Sequence, residues 1–438
     1  MKFLFIGPGF PGVKGASHGS GIGTYLREIT LGLTERGHEC HVIVWSNEDS
    51  RFRIQDSNPD QRDDSITQPL PAQDIGGVKV ILLCHSYWPL IERMMPDSRD
   101  VWRVRRLVKQ LDAKYHYDWI EIQSEEGIGI GVQRDFPNKT ILRAHTTLLQ
   151  MVEYKGERKQ SIDPRPQAVY LCATPGVKFL PPLIGRKLLY RLRRERRSFQ
   201  IAKRIVTHSK VHAEEIKRLY PGVVEPVVVW HGIGKSVART NDASVVTGVP
   251  SGSTNKGRPT FLLIGTIDRR KGFDRIRPVL EAYKAKYGFC RAVIVAGRGS
   301  VESLYATGTS AYGGDLMPQS AGLIDIEWKS GLSSEDLSIE YAHATVYLHL
   351  ARYESFGVPL IEAACHGLPI VSTRVGIAEE LLSGDLETCL VNGDDSCAIA
   401  ETLHRAVENR VLMEKKVYLR YTNSFTRECM TVTFLAGL

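Results

Sequence analysis

The stretch YESFGVPLIEAACHGLPIV, Tyr353 to Val371, decides how this chain is read. Seven residues separate Glu354 from Glu362, and Ser355-Phe356-Gly357-Val358-Pro359 between them opens a helix. Backbone amides at a helix N-terminus attract phosphate, and Gly357 lets a ligand approach closely. Pro359 suits the first turn, where its missing N–H is not needed. Glu362, about one turn further in, offers an acceptor-only carboxylate, which suits the two hydroxyl donors of a ribose. On spacing alone the same residues also fit an ordinary capped helix with surface glutamates, so the surrounding sequence has to decide.

Around this stretch, short apolar runs alternate with helix-like segments, the pattern of βαβ units and parallel sheets. In the first 235 residues the runs are KFLFIG (2–7), HVIVW (41–45), VKVILL (78–83), DWIEI (118–122), TILRAH (140–145), RIVTH (204–208) and PVVVW (226–230). Residues 24–36 carry a helical stripe of Leu26, Ile29 and Leu33, ended by Gly37. Residues 50–73 are polar and read as an insertion. From 236 to 259 the chain turns to Ser, Thr, Gly and Asn, a linker composition. The alternation restarts with TFLLIG (260–265), a helix over 273–287, RAVIVAG (291–297), TVYLHL (345–350), a helix over 359–366 and PIVST (369–373). The expected organisation is an N-terminal domain over 1–235, the linker 236–259, a C-terminal domain over 260–415, and a segment 416–438 returning towards the first domain. Two such α/β halves would face each other across a cleft suited to a ligand.

A chain of 438 residues with 42% hydrophobic and 24% charged residues is ordinary for a multidomain globular protein. No run approaches 18 uninterrupted apolar residues, and MKFLFIGPGF meets Gly and Pro too early for a signal peptide. The eight cysteines form no Cys-x-x-Cys pair. This excludes a disulfide framework and a zinc site by pattern, and it suits a reducing, cytoplasmic setting. The net charge of +8 is uneven. Up to Lys235 there are 36 Lys and Arg against 26 Asp and Glu, and beyond it 21 against 23. The first half therefore favours an anionic partner.

With these motifs in order, YESFGVPLIEAACHGLPIV and the STRVG run after it resemble the E-x7-E signature of family 4 glycosyltransferases of the GT-B fold. GTIDRRKGFDRI (265–276) resembles that family's phosphate-binding loop, and VIVAGRGS (293–300) its next strand and turn. SGIGTYLREITLGLTERGHECHVIV (20–44) resembles its glycine loop and first helix. RIVTHSKVHAEEIKRLYP (204–221) and VVVWHGIG (227–234) resemble the segments closing its N-terminal domain. The resemblance covers most of the chain outside 46–76, 155–190 and the linker. It implies two Rossmann-like domains and retaining transfer from a nucleoside diphosphate sugar, a UDP-sugar above all, to a glycan or lipid-linked acceptor of the cell envelope.

Residue by residue, the resemblance places Glu362 on the ribose and Glu354 on the donor sugar, with Phe356, Gly357 and Val358 beside the phosphates. Lys271 would stabilise the leaving diphosphate, and His145 would lie near the reacting centre. Gly21 and Gly23 would let the glycine loop approach phosphates or acceptor. No tightly bound cofactor or metal is implied, and no Asp-x-Asp pair occurs. Two positions depart from the family pattern: Thr266 stands where many members have Arg, and Gly234 where the usual Asn-Gly-Ile-Asp ends in Asp. Arg270, beside Lys271, is the expected substitute for the missing cation. The alternative is a protein of the same fold that binds nucleotide sugar or membrane without catalysis.

Gly7, Gly9 and Gly12 form a G-x-G-x-x-G after the first strand, as in dinucleotide-binding oxidoreductases. Pro8 and Pro11 interrupt it, and the second strand ends Val44-Trp45-Ser46-Asn47 without the required acidic residue. Residues 183–204 hold nine basic residues and one acidic one, with Leu188, Leu189, Leu192 and Phe199 on one side. A basic amphipathic helix of this kind suits anionic lipid headgroups, which would make the protein peripheral to the membrane. A solvated helix packing its leucines on the domain fits equally well. No motif for nucleic acid accompanies the charge.

Overall fold

The computed structural model describes residues 1–16, 21–46, 72–84, 97–151, 186–234, 258–267, 269–296 and 325–438. Residues 50–71 of the expected insertion, 236–257 of the linker, 183–185 of the basic segment and 297–300 of the VIVAGRGS turn lie outside them. The chain forms two α/β units, Met1–Trp230 with Met430–Leu438, and His231–Cys429. The second unit thus extends beyond the 260–415 read from the sequence.

In the first unit the strands are β1 (Lys2–Gly7), β2 (Glu39–Ser46), β3 (Gln73–Ile75), β4 (Val78–Cys84), β5 (Trp119–Gln123), β6 (Thr140–Arg143), β7 (Ile205–Thr207) and β8 (Val227–Val228). They lie in the order β3-β4-β2-β1-β5-β6-β7-β8, parallel except for β3. Alternate residues of β1 point to opposite faces. Leu4 and Ile6 join Val104, Leu107 and Phe199 on one side, whereas Phe3 and Phe5 join Tyr25, Leu26, Ile29 and Leu33 on the other. Covering both faces is what makes parallel strands near-continuous apolar runs. The helices are α1 (Gly21–Glu35), α2 (Ser98–Tyr115), α3 (Ile130–Asp135), α4 (Arg186–Ile201) and α5 (Lys210–Leu219). The expected stripe of α1 is fully buried, and the Gly37 N–H closes the helix on the Thr34 carbonyl (2.9 Å).

The basic segment is helical, but its apolar side is already occupied. Leu189, Leu192 and Phe199 are buried in the unit's core, each worth about 1.5–3 kcal/mol on leaving water. Arg191 and Arg194 turn to Asp97 at 2.6 and 3.0 Å. Of the two readings of this segment, the structure has the one in which the leucines pack on the domain, because one face of a helix cannot be in the core and in a bilayer together.

The second unit has β9 (Thr260–Gly265), β10 (Arg291–Ala296), β11 (Asp325–Ser330), β12 (Val346–His349), β13 (Ile370–Thr373) and β14 (Leu390–Val391). All are parallel, in the order β11-β10-β9-β12-β13-β14. Its helices are α6 (Phe273–Tyr287), α7 (Ser334–His343), α8 (Val358–Cys365), α9 (Ala378–Leu381), α10 (Ser396–Glu408) and α11 (Arg410–Ser424). The last helix, α12 (Arg427–Ala436), passes into the first unit, where Phe434 packs against Phe3 and Phe5.

Candidate functional site

In the second unit the strand order reverses between β9 and β12, so the loops leaving their C-terminal ends meet, and open α/β sheets bind ligands at such a point. Arg352 ties the two loops together. Its guanidinium bonds both oxygens of Asp274 (2.6 and 2.8 Å) and the Arg269 carbonyl (2.8 Å), and its N–H bonds the Arg270 carbonyl (2.7 Å). Arg275 donates to the Leu350 carbonyl (3.0 Å).

This joint brings together three of the residues singled out in the sequence. The Lys271 ammonium donates to Glu354 Oε1, while Arg270 stands 3.8 Å from Oε2. His349, at the end of β12, adds its Nε2 at 3.4 Å from Oε1. Glu354 is 8% exposed. Burial by itself would raise its carboxyl, but Lys271, His349 and Arg270 outweigh burial and hold it well below the usual carboxylate range. Thr266 is exposed just past β9.

Gly357 caps the start of α8 with φ +95°, a conformation that favours glycine. Val358 begins the helix, and Phe356 is buried against the His231 ring, 4.5 Å between centroids. The Val375–Ile377 turn holds this loop from behind. The Ile377 N–H bonds the Phe356 carbonyl (2.8 Å), and a Cβ on Gly376 would sit 2.2 Å from that oxygen. Glu362, half-buried in the second turn of α8, has its Oε2 held by the Tyr341 hydroxyl of α7 (2.7 Å). Burial pushes this carboxyl up, with the Tyr341 bond opposing. The two carboxyls are therefore shifted in opposite directions, Glu354 down and Glu362 up.

Gly21 and Gly23 form the first turn of α1, in the other unit. His145, just past β6, is buried there, its Nε2 2.6 Å from Gln123 Oε1. Gln123 Nε2 in turn donates to Glu121 Oε1 (3.2 Å), and Tyr25 donates to Glu121 Oε2 (2.9 Å). With the Gln123 carbonyl oxygen facing it, His145 carries its proton on Nε2 and keeps Nδ1 as acceptor. Burial, then Arg143 and His212, hold this imidazole well below its ordinary value.

His349, Tyr341, Arg352 and Gln123 were not singled out from the sequence. A lone His ending an apolar strand was the signal available for His349. For Tyr341 there was none, because α7 lacks a clear apolar stripe.

The family profile for glycosyl transferases group 1 matches residues 250–423, and that for glycosyltransferase family 4 matches 19–233. An uncharacterised 41.2 kDa protein of a Klebsiella pneumoniae cps region is 24% identical over 149 residues, 34% of this chain and 37% of that protein. The chain thus matches well under half the length of this relative. Among solved structures, sucrose-phosphate synthase of Thermosynechococcus elongatus superposes with a TM-score of 0.65 at 18% identity, covering 99% of this chain and 97% of the other. Anabaena HepE, solved with UDP-glucose, superposes at 0.61 and 14% identity over 100% of both chains. The chain belongs to glycosyltransferase family 4 and has the GT-B fold.

Proposed function

We propose that this protein transfers a sugar, with retention of configuration, from a nucleoside diphosphate sugar, a UDP-sugar above all, to a glycan or lipid-linked acceptor. The observation that carries the reading is the Lys271–Glu354 pair, with Arg270 and His349 beside it, next to the N-terminus of α8. On donor binding the diphosphate would take the Lys271 ammonium and the Arg270 guanidinium, assisted by backbone amides around Phe356, Gly357 and Val358. The released Glu354 carboxylate would then accept hydroxyls of the donor sugar, and Glu362 those of the ribose.

As the anomeric C–O bond breaks, negative charge grows on the departing phosphate, where Lys271 and Arg270 stabilise it without a tightly bound metal or cofactor. The acceptor oxygen would bond the anomeric carbon on the face the diphosphate leaves, its proton passing to the departing phosphate oxygen. His145, neutral in its buried setting, would present Nδ1 as an acceptor to the donor sugar. Gly21 and Gly23 would leave room for phosphates or acceptor at the start of α1. Arg270 would supply the second cation, in place of the Arg that many members carry where this chain has Thr266. We further propose a role in cell-envelope polysaccharide or glycoconjugate synthesis on the cytoplasmic face of the membrane, with no nucleic-acid partner.

Donor hydrolysis with a panel of UDP-, GDP- and ADP-sugars tests the reading, and turnover of one donor class is expected. Binding of a nucleotide sugar with no turnover of any donor would favour the alternative, a non-catalytic protein of the same fold.

A further inference from the structure

We propose that the outer faces of α2, α3 and α4 together form a docking surface for an anionic membrane, with Trp102 as its interfacial anchor. The three helices cover one side of the first unit's sheet, burying Val104, Val132 and Phe199 in a common core. Their outward residues are of one sign. Among the described residues of these helices, Arg105, Arg106, Lys109 and Lys114 of α2, Arg134 of α3, and Arg193 and Arg197 of α4 are exposed, and no acid is. The acids nearby are turned to partners: Asp135 to Arg105 and Lys109 (2.6 and 3.2 Å), and Asp97 to Arg191 and Arg194. The single sign ends at α5, where Glu214 is exposed beside Lys210 and Arg218.

A field of one sign over a broad face draws a surface of opposite charge. Trp102 indicates which surface. It is 49% exposed amid these cations, with the Arg106 guanidinium 5.4 Å from its ring centroid. An indole with an apolar body and one N–H donor fits the headgroup level of a bilayer, and cations beside it meet lipid phosphates. Gripping single-stranded nucleic acid calls for a series of aromatics on which successive bases stack. Trp102 is the one aromatic among the exposed, described residues of these helices. The contact differs from insertion of the α4 leucines, which lie in the core. It rests on the lipid-linked-acceptor reading for its purpose, though not for its physics.

The test is flotation of the whole chain with phosphatidylcholine vesicles, with and without about 30 mol% phosphatidylglycerol, the anionic lipid supplying the surface potential. Binding is expected only with the anionic lipid. It should weaken about fivefold per cation removed, and so by at least on the order of 100-fold in Arg106→Glu/Arg193→Glu/Arg197→Glu, where each site also gains a negative charge. Trp102→Ser should weaken it further in the same assay. UDP affinity, read alongside, is expected to be unchanged in these variants, since none of the four residues belongs to the donor site. If the charge-reversed protein fails to fold, the Gln substitutions at the same positions read the same surface. Equal binding to neutral vesicles, undiminished binding by the charge variants, or a preference for single-stranded RNA over the vesicles would each overturn the proposal. Vesicle binding by a protein that binds no nucleotide would leave the docking face standing and remove the donor reading.

Discussion

Replacing Tyr341 by Phe removes one hydroxyl and leaves the ring in place, stacked on His366 at 5.0 Å and near Tyr347 at 6.1 Å. What is lost is the 2.7 Å bond to Glu362 Oε2, with a weaker 3.3 Å contact to the Pro359 carbonyl. That hydroxyl both aims the carboxylate and opposes the rise that burial imposes on it. Among the described residues, the groups around Glu362 include Tyr341 from α7, Tyr347 from β12 and, just past its own helix, His366, whose Nδ1 meets the Glu362 backbone carbonyl at 2.8 Å. No cation among them takes over the duty of Tyr341. A hydrogen bond to a charged group lost without replacement is worth about 1.5–3 kcal/mol, so UDP affinity at neutral pH should fall roughly 10- to 150-fold.

A ribose diol is held by the carboxylate form, so affinity falls as pH drops through the raised Glu362 value. Without Tyr341 that value rises further, and the loss begins at higher pH. Calorimetric titration of UDP from pH 5 to 8 reads both effects. A variant that binds more weakly with an unchanged pH profile would mean that Tyr341 acts through packing alone. Unchanged affinity would remove Glu362 from the nucleotide site.

The other predictions concern the rest of the site. Lys271→Met strips a buried carboxylate of its nearest cation and should cost about 3 kcal/mol in urea unfolding, most of it recovered by adding Glu354→Gln; strictly additive losses would refute the pairing. Because Glu354 is held low, its stabilisation is present above the ordinary carboxylate range and lost as pH falls from that range towards the lowered value, and in Lys271→Met, whose folded value is raised, that loss should be smaller and complete at higher pH. Gly376→Ala puts a Cβ 2.2 Å from the Phe356 carbonyl oxygen at φ +55°, so a loss of about 2 kcal/mol in stability and weaker UDP binding are expected. An unchanged melting temperature and affinity would show that the turn does not support the donor loop. His145 is held neutral, so its contribution to stability is present above the ordinary imidazole value of 6.5 and falls away as pH drops below it. His145→Gln should flatten the dependence of melting temperature on pH between 7 and 5, and an unaltered slope would place the acid sensitivity elsewhere, with His212 (pushed down to about 3) the first alternative.

Periodicity and local conformation are written in the order of the residues. Parallel strands buried on both faces must be apolar throughout, so β1, β2, β9 and β12 were legible within a residue or two. The Gly357–Pro359 start of α8 was legible because glycine and proline restrict the backbone locally. Short edge elements escaped: β3, β11 and β14 have intermediate or exposed residues and no apolar run to announce them. The pairing of charges depends on the packing of distant segments. Lys271 and Glu354 stand 83 positions apart in the chain and meet because β9 and β12 are neighbours in the sheet. Tyr341 reaches Glu362, and Gln123 reaches His145, across intervals that no local rule spans. The basic helix shows the same limit: its leucines were visible in the sequence, but whether they faced lipid or core depended on the sheet they cover. Amphipathicity reports that a face must be buried, and only the packing of distant segments says against what.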